Sequence, residues 1–134
     1  MKQLTVMAVD DDQDDLDLFK QVLLELDQKV NLIVAYNGKE AIERLSKLDQ
    51  KPDVIFLDYN MPLMNGMECL SVIKKDPLLK YIPILMHSTN LSNQEINECE
   101  MLGATILLKR NTFSNMVSDL RSILADIRNK VSVS

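Results

Sequence analysis

The sequence predicts an α/β protein, a sheet of five parallel strands wound on both faces by helices. Short apolar runs such as Val54-Ile55-Phe56-Leu57, with turn signals at each end, read as buried parallel strands. Segments with apolar residues three and four positions apart alternate with these runs, as crossover helices do in a parallel sheet. Polar, reactive residues stand at the carboxyl ends of four of the five runs, where open α/β sheets place their chemistry.

A chain of 134 residues makes one domain, 1–134, large enough to bury a core without disulfides or a structural metal. Its 46% hydrophobic and 26% charged residues are ordinary for a soluble globular protein, and no apolar run approaches the ~18 residues of a membrane span. Met1-Lys2-Gln3 leads into a strand-like run and not into a signal peptide. A cytoplasmic protein without a membrane partner is expected. The net charge of −5 and the lack of a basic stripe argue against a nucleic-acid partner. Cys69 and Cys99 form no CxxC pair and have no histidine near them in sequence, so two buried thiols are expected.

In order along the chain, Leu4 to Val9 is the first strand, running into Asp10-Asp11-Asp12-Gln13-Asp14-Asp15. Helix capping accounts for Asp12 as N-cap and for Asp14 and Asp15 in a first turn favoured by the helix dipole. It leaves Asp10 and Asp11 unexplained, because adjacent carboxylates repel unless a metal or a lysine sits between them. The first helix follows with Leu16, Phe19, Leu23 and Leu26 on one face. Asn31 to Tyr36 is the second strand, and Ala41, Ile42, Leu45 and Leu48 face inward from the second helix. With three glycines in all, a glycine-rich phosphate loop is absent.

Val54 to Leu57, the third strand, delivers Asp58 onto a loop turned by Pro62. A capping role is the plainer reading of a lone aspartate there. A third helix begins near Asn65-Gly66, with Met67, Leu70 and Ile73 inward, and ends at Asp76-Pro77. Ile82 to Met86 is the fourth strand, delivering His87, Ser88 and Thr89. The lone His87 has no triad partners in sequence and is read as a structural or surface residue. The fourth helix runs from about Ser92 to Leu102, with Ile96, Cys99 and Leu102 inward and Gly103 as its cap. Thr105 to Leu108 is the fifth strand and delivers Lys109. The last helix, from about Phe113, carries Met116, Val117, Leu120, Ile123, Leu124 and Ile127 on its inner face, and the tail Val131 to Ser134 is expected to fray.

A strand order of 2-1-3-4-5 makes strands one, three, four and five contiguous, so that Asp10, Asp11, Asp58, Ser88 and Lys109 converge on one rim. Three carboxylates and a backbone carbonyl form a hard, oxygen-only site that suits Mg²⁺ and neither zinc nor copper. A carboxylate can attack phosphorus when a metal and a lysine neutralise the transferring group. Ser88 and Lys109 can then bind the phosphoryl oxygens.

The run Val9-Asp10-Asp11, then Leu57-Asp58-Tyr59-Asn60-Met61-Pro62 with Asn65-Gly66, Pro83 to Ser88, and Gly103-Ala104 before Lys109, resembles the receiver domain of bacterial two-component response regulators. The resemblance covers essentially the whole chain and implies a flavodoxin-like receiver fold. It implies Asp58 as phosphoacceptor, charged from a phosphohistidine of a sensor kinase or a histidine phosphotransfer protein. It implies a Mg²⁺ site in which Asp11 ligates directly, Asp10 acts through water, Asp58 takes part and Asn60 offers its main-chain carbonyl. Ser88 would follow the phosphoryl group on switching, and Lys109 would pair with it. The protein would be no separate enzyme but a stand-alone switch or phosphorelay intermediate acting on a downstream protein, able to dimerise through helix four, strand five and helix five.

The sequence departs from that pattern at three places, all on the output side. Arg110 follows the lysine where proline is usual, Ile106 stands where an aromatic is usual, and the span from Gly103 to Lys109 is one residue short. These departures keep open a degenerate receiver that binds partners irrespective of phosphate. A small aspartate-nucleophile phosphatase is a further alternative, although such enzymes place a second acid two residues after the nucleophile, where this chain has Asn60.

Overall fold

The computed structural model describes residues 3–26, 29–109 and 112–133, with side chains through 131. Its elements are β1 (Leu4–Val9), α1 (Gln13–Leu26), β2 (Val30–Ala35), α2 (Gly38–Lys47), β3 (Val54–Leu57), α3 (Gly66–Lys75), β4 (Ile84–Ser88), α4 (Asn93–Met101), β5 (Thr105–Leu108) and α5 (Phe113–Val133). The strands form one sheet of order β2-β1-β3-β4-β5, parallel at every pairing. This is the predicted doubly wound topology.

Period-two alternation splits the central strands between two cores. Leu4, Val6 and Ala8 of β1 and Val54 and Phe56 of β3 face α1 and α5, whereas Met7, Val9, Ile55 and Leu57 face α2, α3 and α4. The β1 and β3 strands are buried on both faces, which is why they read as unbroken apolar runs. Phe19 of α1 packs edge-on against Phe56 at 4.9 Å between ring centroids.

Local capping sets most helix starts. Asn37 accepts from the Glu40 amide, and both Asn65 with Glu68 and Ser92 with Glu95 make reciprocal capping boxes. Gly66 cannot carry a side chain: a Cβ there would lie 2.5 Å from the Asp58 carbonyl oxygen and 2.7 Å from the Tyr59 Cα. The loop after Asp58 is therefore laid directly on the start of α3, and the Gly66 amide donates to the Tyr59 carbonyl at 2.8 Å.

Several boundaries differ from expectation. The second strand is one residue earlier, Val30–Ala35. The fourth strand begins after Pro83, which has no amide to donate, and continues through Ser88 because β5 pairs with it as far as Leu108. His87 and Ser88 thus lie within the strand and not beyond it. Val22, fully buried, joins the inner face of α1, Cys69 joins that of α3, and Leu102 is exposed at the end of α4. The tail does not fray at Val131: α5 extends to Val133, and Val131 packs on the α1/α5 core. Arg110, on which the expectation for the loop after Lys109 turns, lies outside the described residues, as does Ser134. Both cysteines are free and buried, as predicted.

Candidate functional site

Three backbone bonds just past the strand ends place the predicted residues. The Asp10 amide donates to Ala35 O at 3.1 Å, the Asp58 amide to Val9 O at 2.9 Å, and the Lys109 amide to Ser88 O at 2.9 Å. The ladder therefore continues one step beyond the strands and fixes Asp10, Asp58 and Lys109 at the carboxyl rim. Asp10 also accepts from the Asp12 amide at 3.0 Å, turning the chain into α1. Asp10, Asp11 and Asp58 come together, each offering a carboxylate oxygen within 4.8 Å of the others. The Lys109 Nζ lies 2.8 Å from Asp10 Oδ2 and 3.5 Å from Asp58 Oδ1. Ser88 is buried, and its hydroxyl has no hydrogen-bond partner among the described residues. Asn60 is exposed, two residues beyond Asp58 on the same loop.

The profile of the family described as response regulator receiver domain matches residues 6–121. The chain belongs to this family. Two-component response regulator ARR17 of Arabidopsis thaliana is 31% identical over 137 residues, covering 95% of this chain and 88% of that protein. Two-component response regulator ORR3 of Oryza sativa subsp. indica is 34% identical over 115 residues, 86% of either chain. The structure of the phosphorylated cyanobacterial phytochrome response regulator RcpA superposes with a TM-score of 0.83 at 27% identity, covering 90% of this chain and 91% of that one. Receivers work in phosphorylation-controlled two-component signalling, and this chain is one of them.

The electrostatics of this receiver follow from crowding acids in a buried rim. Burial is the main force raising the Asp58 carboxyl from 3.8 to about 6, and the charge of Asp10 adds to it; Lys109 opposes both. Burial likewise raises the Asp10 carboxyl, against the hydrogen bond from Lys109. Burial works against the Lys109 ammonium, but its bonds to Asp10 and Asp15 outweigh that and hold it above the ordinary lysine range.

The three carboxylates fit the divalent cation expected of a receiver. They are all-oxygen donors, near enough together to share one ion, and they carry more negative charge than Lys109 neutralises. The unpartnered Ser88 hydroxyl is a donor held ready beside the same rim.

Reading the sequence missed Asp15. Assigned only to the helix dipole, it lies 2.8 Å from the Lys109 Nζ, as close as Asp10 does. Its spacing of five from Asp10 puts it on the first turn of α1, returning toward the rim; the contact joins residues 94 apart in sequence and gives no local signal. His87, the chain's one histidine, lies at the end of β4. Half-buried against Phe19 and Phe56, it is kept neutral by burial, with Lys109 adding to the effect, and its pKa falls to about 4.

Proposed function

We propose that residues 1–134 act as one receiver unit in which Asp58 is the phosphoacceptor. The observation that carries the reading is the Lys109 ammonium 3.5 Å from a buried Asp58 carboxylate that is grouped with Asp10 and Asp11. An Asp58 oxygen attacks the phosphorus of a phosphohistidine on a sensor histidine kinase or histidine phosphotransfer protein. The new O–P bond forms as the P–N bond breaks, and the imidazole leaves with the bonding pair. Magnesium, when bound, neutralises negative charge on the acids and on the group in transfer. Asp11 would ligate it directly, Asp10 through water, Asp58 by its carboxylate and Asn60 by its main-chain carbonyl. Lys109 then pairs with a phosphoryl oxygen, and Ser88 turns its free hydroxyl toward another.

The product is a protein-binding switch or a phosphorelay intermediate, with no substrate besides its own aspartate. A cytoplasmic location fits such a partner, and among the described residues no helix is long and apolar enough to cross a membrane. The downstream partner is a protein, and a homodimer through α4, β5 and α5 is one form it can take.

Incubation with phosphoramidate and Mg²⁺, followed by mass spectrometry of the intact protein and its peptides, tests the reading. One acid-stable, base-labile phosphoryl group on Asp58, absent from Asp58→Asn, is expected. No uptake would favour a receiver that binds partners without phosphate, and turnover of added phosphate esters would favour a phosphatase.

A further inference from the structure

We propose that Asp15 is a positioning residue for phosphoryl transfer, holding the Lys109 ammonium in a resting place beside the Asp58 carboxylate and not on it. The inference rests on Asp58 being the phosphoacceptor. Lys109 Nζ donates to Asp10 Oδ2 and Asp15 Oδ2, each at 2.8 Å, whereas Asp58 Oδ1 lies at 3.5 Å, beyond a good charge-assisted bond. Two of the three ammonium protons are thus committed away from the nucleophile.

The two acids that hold the lysine are not equivalent. Asp10 belongs to the trio that can share a divalent cation, and Asp15 does not. With the trio engaged by a dication, Asp10 would no longer hold the ammonium, and Asp15 would be the anion that keeps Lys109 at the rim. Once Asp58 carries a phosphoryl group, Asp15 competes with that group for the same ammonium. The acid is the fixed partner: its amide bonds to the Asp12 carboxylate at 3.2 Å, and the next residue, Leu16, is buried in the α1/α5 core. Lys109, on a flexible four-carbon arm, is the part that moves. The charged and titratable groups facing it are Asp10, Asp15, Asp58 and His87. A dipole role alone would require an acid somewhere in the first turn of α1, which Asp14 already supplies. It would not require the contact with Lys109.

The test compares Asp15→Asn with Asp14→Asn, which removes the same charge one residue away. With saturating Mg²⁺ and phosphoramidate as the donor, Asp15→Asn should speed phosphorylation about two- to fivefold, the effect of releasing one partly exposed ion pair. Asp14→Asn should stay close to wild type, and Asp15→Glu, which keeps the anion, should return toward it. In a separate Mg²⁺ titration without donor, Asp15→Asn should weaken binding about two- to fivefold beyond Asp14→Asn, because Lys109 falls back on Asp10 and contests the metal site. Slower phosphorylation, no change, or equal changes in the two asparagine variants would overturn the role of Asp15. A wild-type protein that takes up no phosphoryl group would instead overturn the proposed function, and the Mg²⁺ titration would then decide the inference by itself.

Discussion

Replacing Asp58 by asparagine should stabilise the metal-free protein at neutral pH. The Asp58 side chain is 8% exposed and titrates near 6 in the folded protein against 3.8 ordinarily. Between those values the folded state binds more protons than the unfolded one, so its stability falls as pH rises through the window. At about 1.4 kcal/mol for each pH unit, the full cost is about 3 kcal/mol above pH ~7. The Lys109 contact at 3.5 Å is already included in that balance, and asparagine gives up what remains of it. A net gain of about 1–3 kcal/mol is expected, or roughly 3–10 °C in Tm for a domain of this size. The comparison is urea and thermal unfolding of wild type and Asp58→Asn in EDTA, at pH 4.5 and pH 7.5. At pH 4.5 Asp58 is mostly protonated when folded but already mostly ionised when unfolded, so about a third of that cost, about 1 kcal/mol, has accrued, and the gain should shrink in proportion. His87, lowered to about 4, imposes the opposite slope between about 4 and 6.5, but it is present in both proteins and cancels in the difference. A variant less stable than wild type at pH 7.5, or an equal gain at both pH values, would refute the reasoning.

Magnesium should stabilise wild type, and Asp11→Asn should weaken its binding far more than Asp14→Asn, which trims only a dipole contribution of about 0.3–1 kcal/mol; equal effects in a calorimetric titration would misplace the ion. Ser88→Ala removes a buried hydroxyl that has no partner, so it should leave unfolding unchanged or raise stability by up to about 1 kcal/mol while weakening the phosphorylation-dependent response; a loss above about 1 kcal/mol in urea unfolding would show that the hydroxyl is bonded. Ile106 is half-buried on the α2/α3/α4 core and has no ring to rotate, so a phosphoryl mimic should displace residues 88–91 and the start of α4; amide shifts concentrated at 106 with 88–91 silent would contradict this.

The fold was legible because its signals are local. An apolar run of four to six residues specifies a buried strand, a three-to-four spacing specifies a helix face, and Asn65-Gly66 or Ser92 with Glu95 marks a helix start. The alternation of these elements leaves few topologies, and 2-1-3-4-5 is among them. The strand-end rule then brought Asp10, Asp11, Asp58, Ser88 and Lys109 to one edge without any knowledge of distance. Boundaries slipped where a neighbouring strand decides them: β4 runs to Ser88 because β5 offers partners that far. Which groups touch was decided only in three dimensions. That Lys109 bonds Asp10 and Asp15 more closely than Asp58, and that the Ser88 hydroxyl is left unbonded, depends on side chains from segments up to 99 residues apart. Sequence spacing fixes the direction of a side chain along its own helix or strand, but the distance across a rim is set by how two cores seat α1 and β5 on the sheet, and no local pattern encodes that seating.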